Sequence, residues 1–450
     1  MAIKQVKIDV NEVTIGMFIS GLDRPWAQTP FPIQGFYVRD VGEIKEIRGH
    51  CNHVYIDVVK GASPKGKAYL KTLEAIKNKN RYQSSLAIDK VTSVKPLTVR
   101  YNTYDHYEPL KKEAKKARQL YTKVFASVSD VLEQLDNDVM APVHDTKRAA
   151  GEMVDSVLRN PDAFTWLSRI QEADEFTYAH SLRCSVWAIL FGRHIGLDKR
   201  ELDVLAMGVL FKDVGKLKLD RELLLKANRT TQEQAQYETF VEKSVEILRR
   251  LPGVEPKVIS VVKTHTERVN GSGYPQHLQG DKIPLLGRIA GIVTFYDEVT
   301  HPRHALHPIA PSRAVSRLYE VRGSEFQEDL VVEFIRAIGL YPTGTLVELT
   351  TGEVALVVEQ NFEKRLKPKV LVILDSLKDE LPKYQLLDLA EDDSKKQALI
   401  DTGKRTPIEV EKIEIAQDLE PGSLDVDIQA IRDHYIMRSA RQGLMSFLSF

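Results

Sequence analysis

The chain has 450 residues, and its 63 Lys+Arg balance its 63 Asp+Glu, so no net field would draw a nucleic-acid polymer. Hydrophobic residues make up 43% and charged residues 28%, the balance of a globular protein long enough for two or three domains. No apolar run approaches the roughly 18–20 residues that span a bilayer, the opening MAIKQVKIDVNEV has no signal-peptide core, and Cys51 and Cys184 make neither a disulfide framework nor a metal knuckle, which together point to a cytoplasmic protein.

Residues 1–70 hold short alternating runs, FYVRDV (36–41) and HVYIDVV (53–59), broken by Pro and Gly, and predict a small mixed α/β domain. Residues 71–108 are basic and polar and read as a linker with some helix in GKAYLKTLEAIKN. From Leu110 the period changes: Leu110, Ala114, Ala117, Tyr121, Val124, Val128, Leu132 and Leu135 recur at helical steps, with Lys111, Lys112, Lys115 and Lys116 on the solvated side. Helical periodicity continues with interruptions, defining a helical domain over 109–340. Past Tyr341-Pro342 the period drops to two: TLVELTTGEVALVVEQ predicts a hairpin and KVLVILD (369–375) a third strand, giving a β extension over 341–390. Residues 391–450 read as a polar tail with a helix near DIQAIRDHYIMRSARQ. The expected fold class is therefore multidomain and mainly α, with a small N-terminal α/β domain and a short C-terminal β extension.

Several polar residues interrupt the apolar helices. His180 precedes SLRCSVWAIL, Lys212-Asp213 ends AMGVLF and leads to Lys216, His265 precedes a GSGYP turn, and Asp297 sits inside RIAGIVTFYDEVT. Histidines and an aspartate from separate helices can converge on a metal inside a bundle, or can hydrogen-bond within its core. Spacing does not choose between the two.

The order of the words is more specific. KDVGK (212–216), HTERVNGSGYPQHLQGDKIPLLGRI (265–289), TFYDEVT (294–300) and IGLYPTGTLVELTTGE (338–353) resemble the HD-GYP family, over about 140–375. Residues 1–70 resemble the small accessory domain that often precedes it. The resemblance implies a helical HD-type domain, a bound Fe or Mn pair, and hydrolysis of the bacterial second messenger cyclic di-GMP.

Carried over position by position, the ligand set is incomplete. His180, Asp213 and His265 keep ligand residues, with His180 implied for one metal, His265 for the other and Asp213 bridging. Lys212, Phe240, Thr266 and Thr294 stand where the family has ligands. A lysine offers no lone pair while charged, and a phenylalanine none at all. Catalytic transition-metal sites typically keep three protein ligands and an open position, so the expectation is a lost metal site with no cofactor and no confident catalytic residue. Lys212 Nζ is expected to take up the vacated position and pair with Asp213.

Other implied functions need no metal. Lys216 and Arg303 fall at positions that contact nucleotide phosphates, although Leu306 replaces a further basic residue and HPRHALH (301–307) replaces the family's SDRPYR. The loop of Gly271, Gly273, Tyr274 and Pro275, with Asn270 for the usual Asp, is implied as a docking surface for GGDEF-domain cyclases. The favoured reading is a catalytically impaired HD-GYP protein that senses cyclic di-GMP or docks a partner. The alternatives are an active phosphodiesterase recruiting Asp297, Glu267 or His277 around an Fe or Mn pair, and a scaffold without nucleotide binding. Glu267 otherwise pairs with a nearby arginine, and His301, His304 and His307 with His277 form a surface cluster rather than a new metal site.

Overall fold

The computed structural model describes residues 5–57, 94–432 and 435, apart from 25–28, 30, 32–34, 39–40, 105–106, 138, 140–141, 171–175, 304–308, 362–363 and 403–411. The chain divides into two compact units, Met1–Val91 and Thr92–Phe450. The expected helix in GKAYLKTLEAIKN, the residues Leu306, His304 and His307, and most of the expected tail helix lie outside the described residues; 428–432 of that tail are helical.

In the first unit, β1 (Gln5–Asp9), β2 (Phe18–Leu22), β3 (Phe36–Tyr37) and β4 (His53–Asp57) form an antiparallel sheet in the order β1-β4-β2-β3. The period of two in HVYID turns Val54 and Ile56 to one face. They are buried there with Ile8, Ile19 and Ile47, the last from α1 (Val41–His50).

The second unit is built on α2 (Leu110–Asp136), whose eight predicted apolar positions are all buried. It packs on α3 (His144–Arg159) and α4 (Pro161–Ile170). Glu113 lies on the buried stripe of α2, where its carboxylate accepts from Ser156 Oγ at 2.5 Å and from Arg159 Nε and Nη2 at 2.9 and 2.7 Å. Behind these helices, α5 (Phe176–Ile195) packs against α6 (Lys199–Phe211) and α11 (Leu285–Thr300). Its apolar residues from Val186 to Phe191 are buried on all sides. Around these three stand α7 (Arg221–Leu225), α8 (Thr231–Glu238), α9 (Phe240–Arg250), α10 (Pro256–Thr264), α12 (Pro311–Glu320) and α13 (Glu328–Ile338). Residues 94–104, part of the stretch read as a linker, run along the same unit: Leu97 N–H donates to Asp329 at 2.6 Å and Tyr104 Oη to Leu197 O at 2.7 Å. No helix among the described residues is long and apolar enough to cross a membrane.

The C-terminal sheet runs β8-β7-β6-β5-β9. Its strands β5 (Leu346–Leu349), β6 (Val354–Glu359) and β7 (Lys369–Leu374) are the hairpin and third strand expected from the period of two. Two further strands were not: β8 (Glu380–Asp388), exposed along one edge, and β9 (Ile415–Asp418), which pairs with β5 from within the supposed polar tail. Both are edge strands with little apolar alternation. Pro382 sits in β8, tolerated because an edge strand can leave one side of its ladder unpaired. Between them α14 (Leu389–Asp401) is a polar helix. Trp166 of α4 is buried in one cluster with Leu346, Leu356 and Leu371, so the sheet shares a core with the helices.

The Glu113 contacts give a direct test. Glu113→Ala leaves the Ser156 hydroxyl and the half-buried Arg159 without their acceptor, and the unfolding free energy should fall by about 2 kcal/mol in urea titrations. An unchanged midpoint would mean that these bonds merely replace equivalent bonds to water.

Candidate functional site

The end of α6 places the first functional pair. Asp198 caps the helix: its side chain accepts from Glu201 N at 2.8 Å while the Glu201 carboxylate accepts from Asp198 N at 3.0 Å. The helix then runs buried to Phe211, where Lys212 and Asp213 leave it and a 3-10 turn, Val214–Lys218, carries Lys216. Ser244 of α9 clamps this turn, its Oγ donating to Lys212 O at 3.0 Å and accepting from Gly215 N at 2.7 Å. A Cβ at Gly215 would sit 2.0 Å from Phe240 O, so only glycine lets the turn lie this close to α9.

Lys212 is fully buried. Its Nζ donates to Asp213 Oδ2 and lies 2.8 Å from His180 Nε2. Because Nε2 receives that proton, His180 is the Nδ1–H tautomer and donates from Nδ1 to Asp297 Oδ2 at 2.7 Å. Asp297 also accepts from Arg183 Nε at 2.9 Å and Nη2 at 3.0 Å, a bidentate pair, and His301 Nδ1 lies 3.4 Å from its other oxygen. Asp213 takes a second cation, Lys216 Nζ at 2.7 Å, and Ser181 Oγ at 3.4 Å. The result is one continuous buried network: Lys216, Asp213, Lys212, His180, Asp297, Arg183.

Its electrostatics follow from the pairing. Burial alone would raise the carboxyl pKa of Asp213, but Lys212 and Lys216 hold it well below 3.8. Asp297 is likewise raised by burial and lowered further by Arg183 and His301, ending well below 3.8. Burial and the Lys212 charge depress both histidines, His180 below 6.5 and His265 to about 3. Burial pushes Lys216 down, but Asp213 more than reverses this and leaves it above 10.5.

Among the described residues one set of possible metal ligands, His180, Cys184 and Asp297, brings its ligand atoms within 4.8 Å of one another. It does not fit a cation. The His180 Nε2 lone pair faces Lys212, both Asp297 oxygens face Arg183, and burial raises the Cys184 thiol well above 9.0, which keeps it protonated. The family positions fare no better. His265 caps α10 with Nδ1 2.7 Å from Val262 O, and the ring of Phe240 lies 5.9 Å from its ring and 4.7 Å from Lys216 Nζ. Thr294 Oγ1 is buried with no hydrogen-bond partner among the described residues, and Thr266 Oγ1 donates to Tyr274 O at 2.6 Å.

The other sequence-derived candidates separate. Glu267 does not pair with an arginine: its two oxygens accept the backbone amides of Gln276 at 2.8 Å and Leu278 at 2.9 Å, taking it up in holding the GSGYP loop. Gly273 is packed so tightly that a Cβ would lie 2.4 Å from Arg268 N, while Asn270 accepts from Ser272 N at 2.9 Å. His277 is exposed on the far end of this loop, outside the network. His301 is no surface bystander, since it flanks Asp297. Lys216 and Arg303 do converge. Both line a cavity of about 480 Å³ together with Asp213, Ser181 and Tyr178, and Arg303 Nη1 donates to Leu224 O at 3.3 Å. Arg183 is the residue that reading the sequence missed. The available signal was an arginine three positions after His180 in an otherwise apolar helix, which places both on one face.

Residues 5–146 match the family described as a domain of unknown function, DUF3391. Residues 167–330 match the HD domain and 346–396 a KOW domain associated with HD domain. A protein of Pseudomonas aeruginosa named as a cyclic di-GMP phosphodiesterase is 27% identical over 391 residues, covering 85% of this chain and 88% of the relative. A 3'3'-cGAMP-specific phosphodiesterase of Vibrio cholerae is 33% identical over 160 residues, 34% of this chain and 30% of the relative. The solved structure of an HDG"Y"P protein from Bdellovibrio bacteriovorus covers 74% of this chain and 98% of its own, with 14% identity and a TM-score of 0.43.

Two measurements check the network. Lys212→Met strands the His180 lone pair and leaves Asp213 with one cation; the unfolding free energy should drop by about 3 kcal/mol, read as a lower thermal midpoint, and an unchanged midpoint would sink the pairing. The depressed histidines set the pH dependence. Below 6.5 the unfolded chain takes up protons that folded His265 refuses until about 3, so stability is complete above 6.5 and falls as the pH drops. His180 acts in the same direction, and the carboxyls join in only below 3.8. The slope per group is at most about 1.4 kcal/mol per pH unit. Urea midpoints between pH 7 and 4 should decline in the native protein and decline less steeply in His265→Gln; parallel profiles would contradict the assignment.

Proposed function

We propose that this chain, an HD-domain protein of the HD-GYP type with a DUF3391 domain before it and a KOW domain after it, acts in cyclic di-GMP signalling by binding rather than by hydrolysis. The observation that carries this reading is Lys212 Nζ, 2.8 Å from His180 Nε2 and paired with Asp213. An ammonium there occupies the lone pairs that two ligand positions of the family would offer to a metal. Metal-ligating histidines typically give their other ring nitrogen to a carboxylate. His180 keeps that second partner, Asp297, while the first is a lysine.

A lysine cannot do what a metal does for hydrolysis. A bound cation lowers the pKa of water toward neutrality and supplies hydroxide. Lys212 Nζ is a donor with no coordination site to offer, and two of its three protons go to Asp213 and His180. The substitute ligands that an active enzyme would need are engaged elsewhere: Asp297 with Arg183 and Glu267 with two backbone amides.

Binding keeps its means. Lys216 retains donors beyond the one given to Asp213, and Arg303 shares its cavity. Both can hold a phosphate without a metal. Docking of a GGDEF-type cyclase on the loop of Gly271, Gly273, Tyr274 and Pro275 belongs to the same reading, as does a cytoplasmic location, and the loop is held in shape by Thr266 and Glu267 independently of any cofactor.

The test pairs turnover with binding on one preparation. Protein reconstituted anaerobically with Fe(II) or Mn(II) should show no cyclic di-GMP hydrolysis above its His265→Ala control. Calorimetry should show nucleotide binding that weakens at least tenfold in a Lys216→Ala, Arg303→Ala double variant. Turnover that depends on His265 would make the chain an enzyme and overturn the reading; absence of binding would leave only the docking role.

A further inference from the structure

The cavity beside Asp213 has a wall that a nucleotide does not explain. Leu132, Leu210, Leu217, Leu219, Leu224 and Leu225 line it. Of these, Leu217, Leu219 and Leu224 are half-buried and Leu225 is 54% exposed, so a leucine surface is held partly open to water. Among the described residues its lining has a single aromatic ring, Tyr178, and no amide side chain. Bases are held by stacking on aromatic or guanidinium planes and by hydrogen bonds to their edges, and the rings nearest Lys216, Phe240 at 4.7 Å and Tyr237 at 5.7 Å, are not part of this wall.

The charges sit on the same cavity. Lys216, Arg221 and Arg303 line it, and Asp213, the one carboxylate in its lining among the described residues, is already paired with Lys212 and Lys216. Among its contacts, Arg303 Nη1 donates to a backbone carbonyl, Leu224 O. A guanidinium bonds a carboxylate or phosphate more strongly than a neutral carbonyl. The volume of about 480 Å³ lies within the range of small-molecule sites.

From this combination we infer that the cavity binds an amphipathic anion, an unbranched aliphatic chain lying on the leucine wall with its carboxylate or phosphate head at Arg303 and Lys216. The ligand uses the same cations as the proposed nucleotide and therefore competes with it. Chain length supplies affinity, since every methylene laid on the leucine wall is removed from water, and the head fixes orientation.

Calorimetry on the full chain tests this with decanoate and decyl phosphate as the two head groups, butyrate as the short anion and decanol as the uncharged chain, all below micelle formation. Binding of decanoate or decyl phosphate at least tenfold tighter than butyrate and decanol is expected, the tighter of the two identifying the head. Arg303→Gln and Leu224→Asn should each weaken it about tenfold, with the thermal midpoint reporting that both variants fold. Equal affinity for decanol, or binding that neither variant changes, would mean surfactant adsorption and overturn the inference. Cyclic di-GMP binding without decyl-anion binding would overturn it and leave the nucleotide reading standing. Decyl-anion binding without nucleotide binding would uphold it and remove the nucleotide.

Discussion

An ammonium buried among helices must be paired, because an isolated ion loses several kcal/mol of hydration that nothing else returns. Lys212 meets this requirement with an aspartate next to it in sequence and a histidine from another helix. The rest of the site follows from that choice. With Nε2 of His180 used as an acceptor, Nδ1 must donate, and the acceptor available is Asp297 on α11. Asp297 then carries a full charge in the core and needs Arg183, which reaches it from the same face of α5 as His180. One lysine thus fixes a tautomer, an ion pair and the contact between α5, α6 and α11.

The network also explains why its members are poor candidates for acid–base chemistry. A general base at neutral pH needs a pKa near the working pH and access to a proton. His180 and His265 are pushed away from that range by burial and by Lys212, and Asp213 and Asp297 are held ionised by their cations. Every group is displaced toward the state that its partner stabilises. Such displacement is what an ion-pair network produces, in structural networks and catalytic centres alike.

How much of this was legible depended on whether the contact was local. The stripe of α2 and the hairpin of β5 and β6 are periodic, and the Lys212–Asp213 pair is adjacent, so a single sequence carries them. The implied ligand positions could be compared with this chain only because the words around GSGYP fix the alignment. Arg183 could not be assigned, since its partner is 114 residues away and nothing in SLRCSV says which face of the helix meets α11. Glu267 read as the partner of a nearby arginine for the same reason: its partners are backbone amides nine and eleven residues on, visible only once the loop has closed. The edge strands β8 and β9 failed differently. An edge strand buries little, so it needs no apolar alternation to announce it.

The same distinction separates the loop from the centre beneath it. Thr266 stands at a position implied for a metal ligand, yet its hydroxyl reaches Tyr274 O and ties the start of the loop to its tip. Glu267 closes the loop from the next position, and Gly273 admits the backbone where no side chain would fit. None of these contacts passes through His180, Asp213 or a cation. A loop held by hydrogen bonds to its own backbone keeps its shape whatever stands in the ligand positions. The chemistry of the centre and the surface of the loop can therefore change independently, and Thr266 is where the exchange is visible: a residue with little to offer a metal is the one that pins the loop.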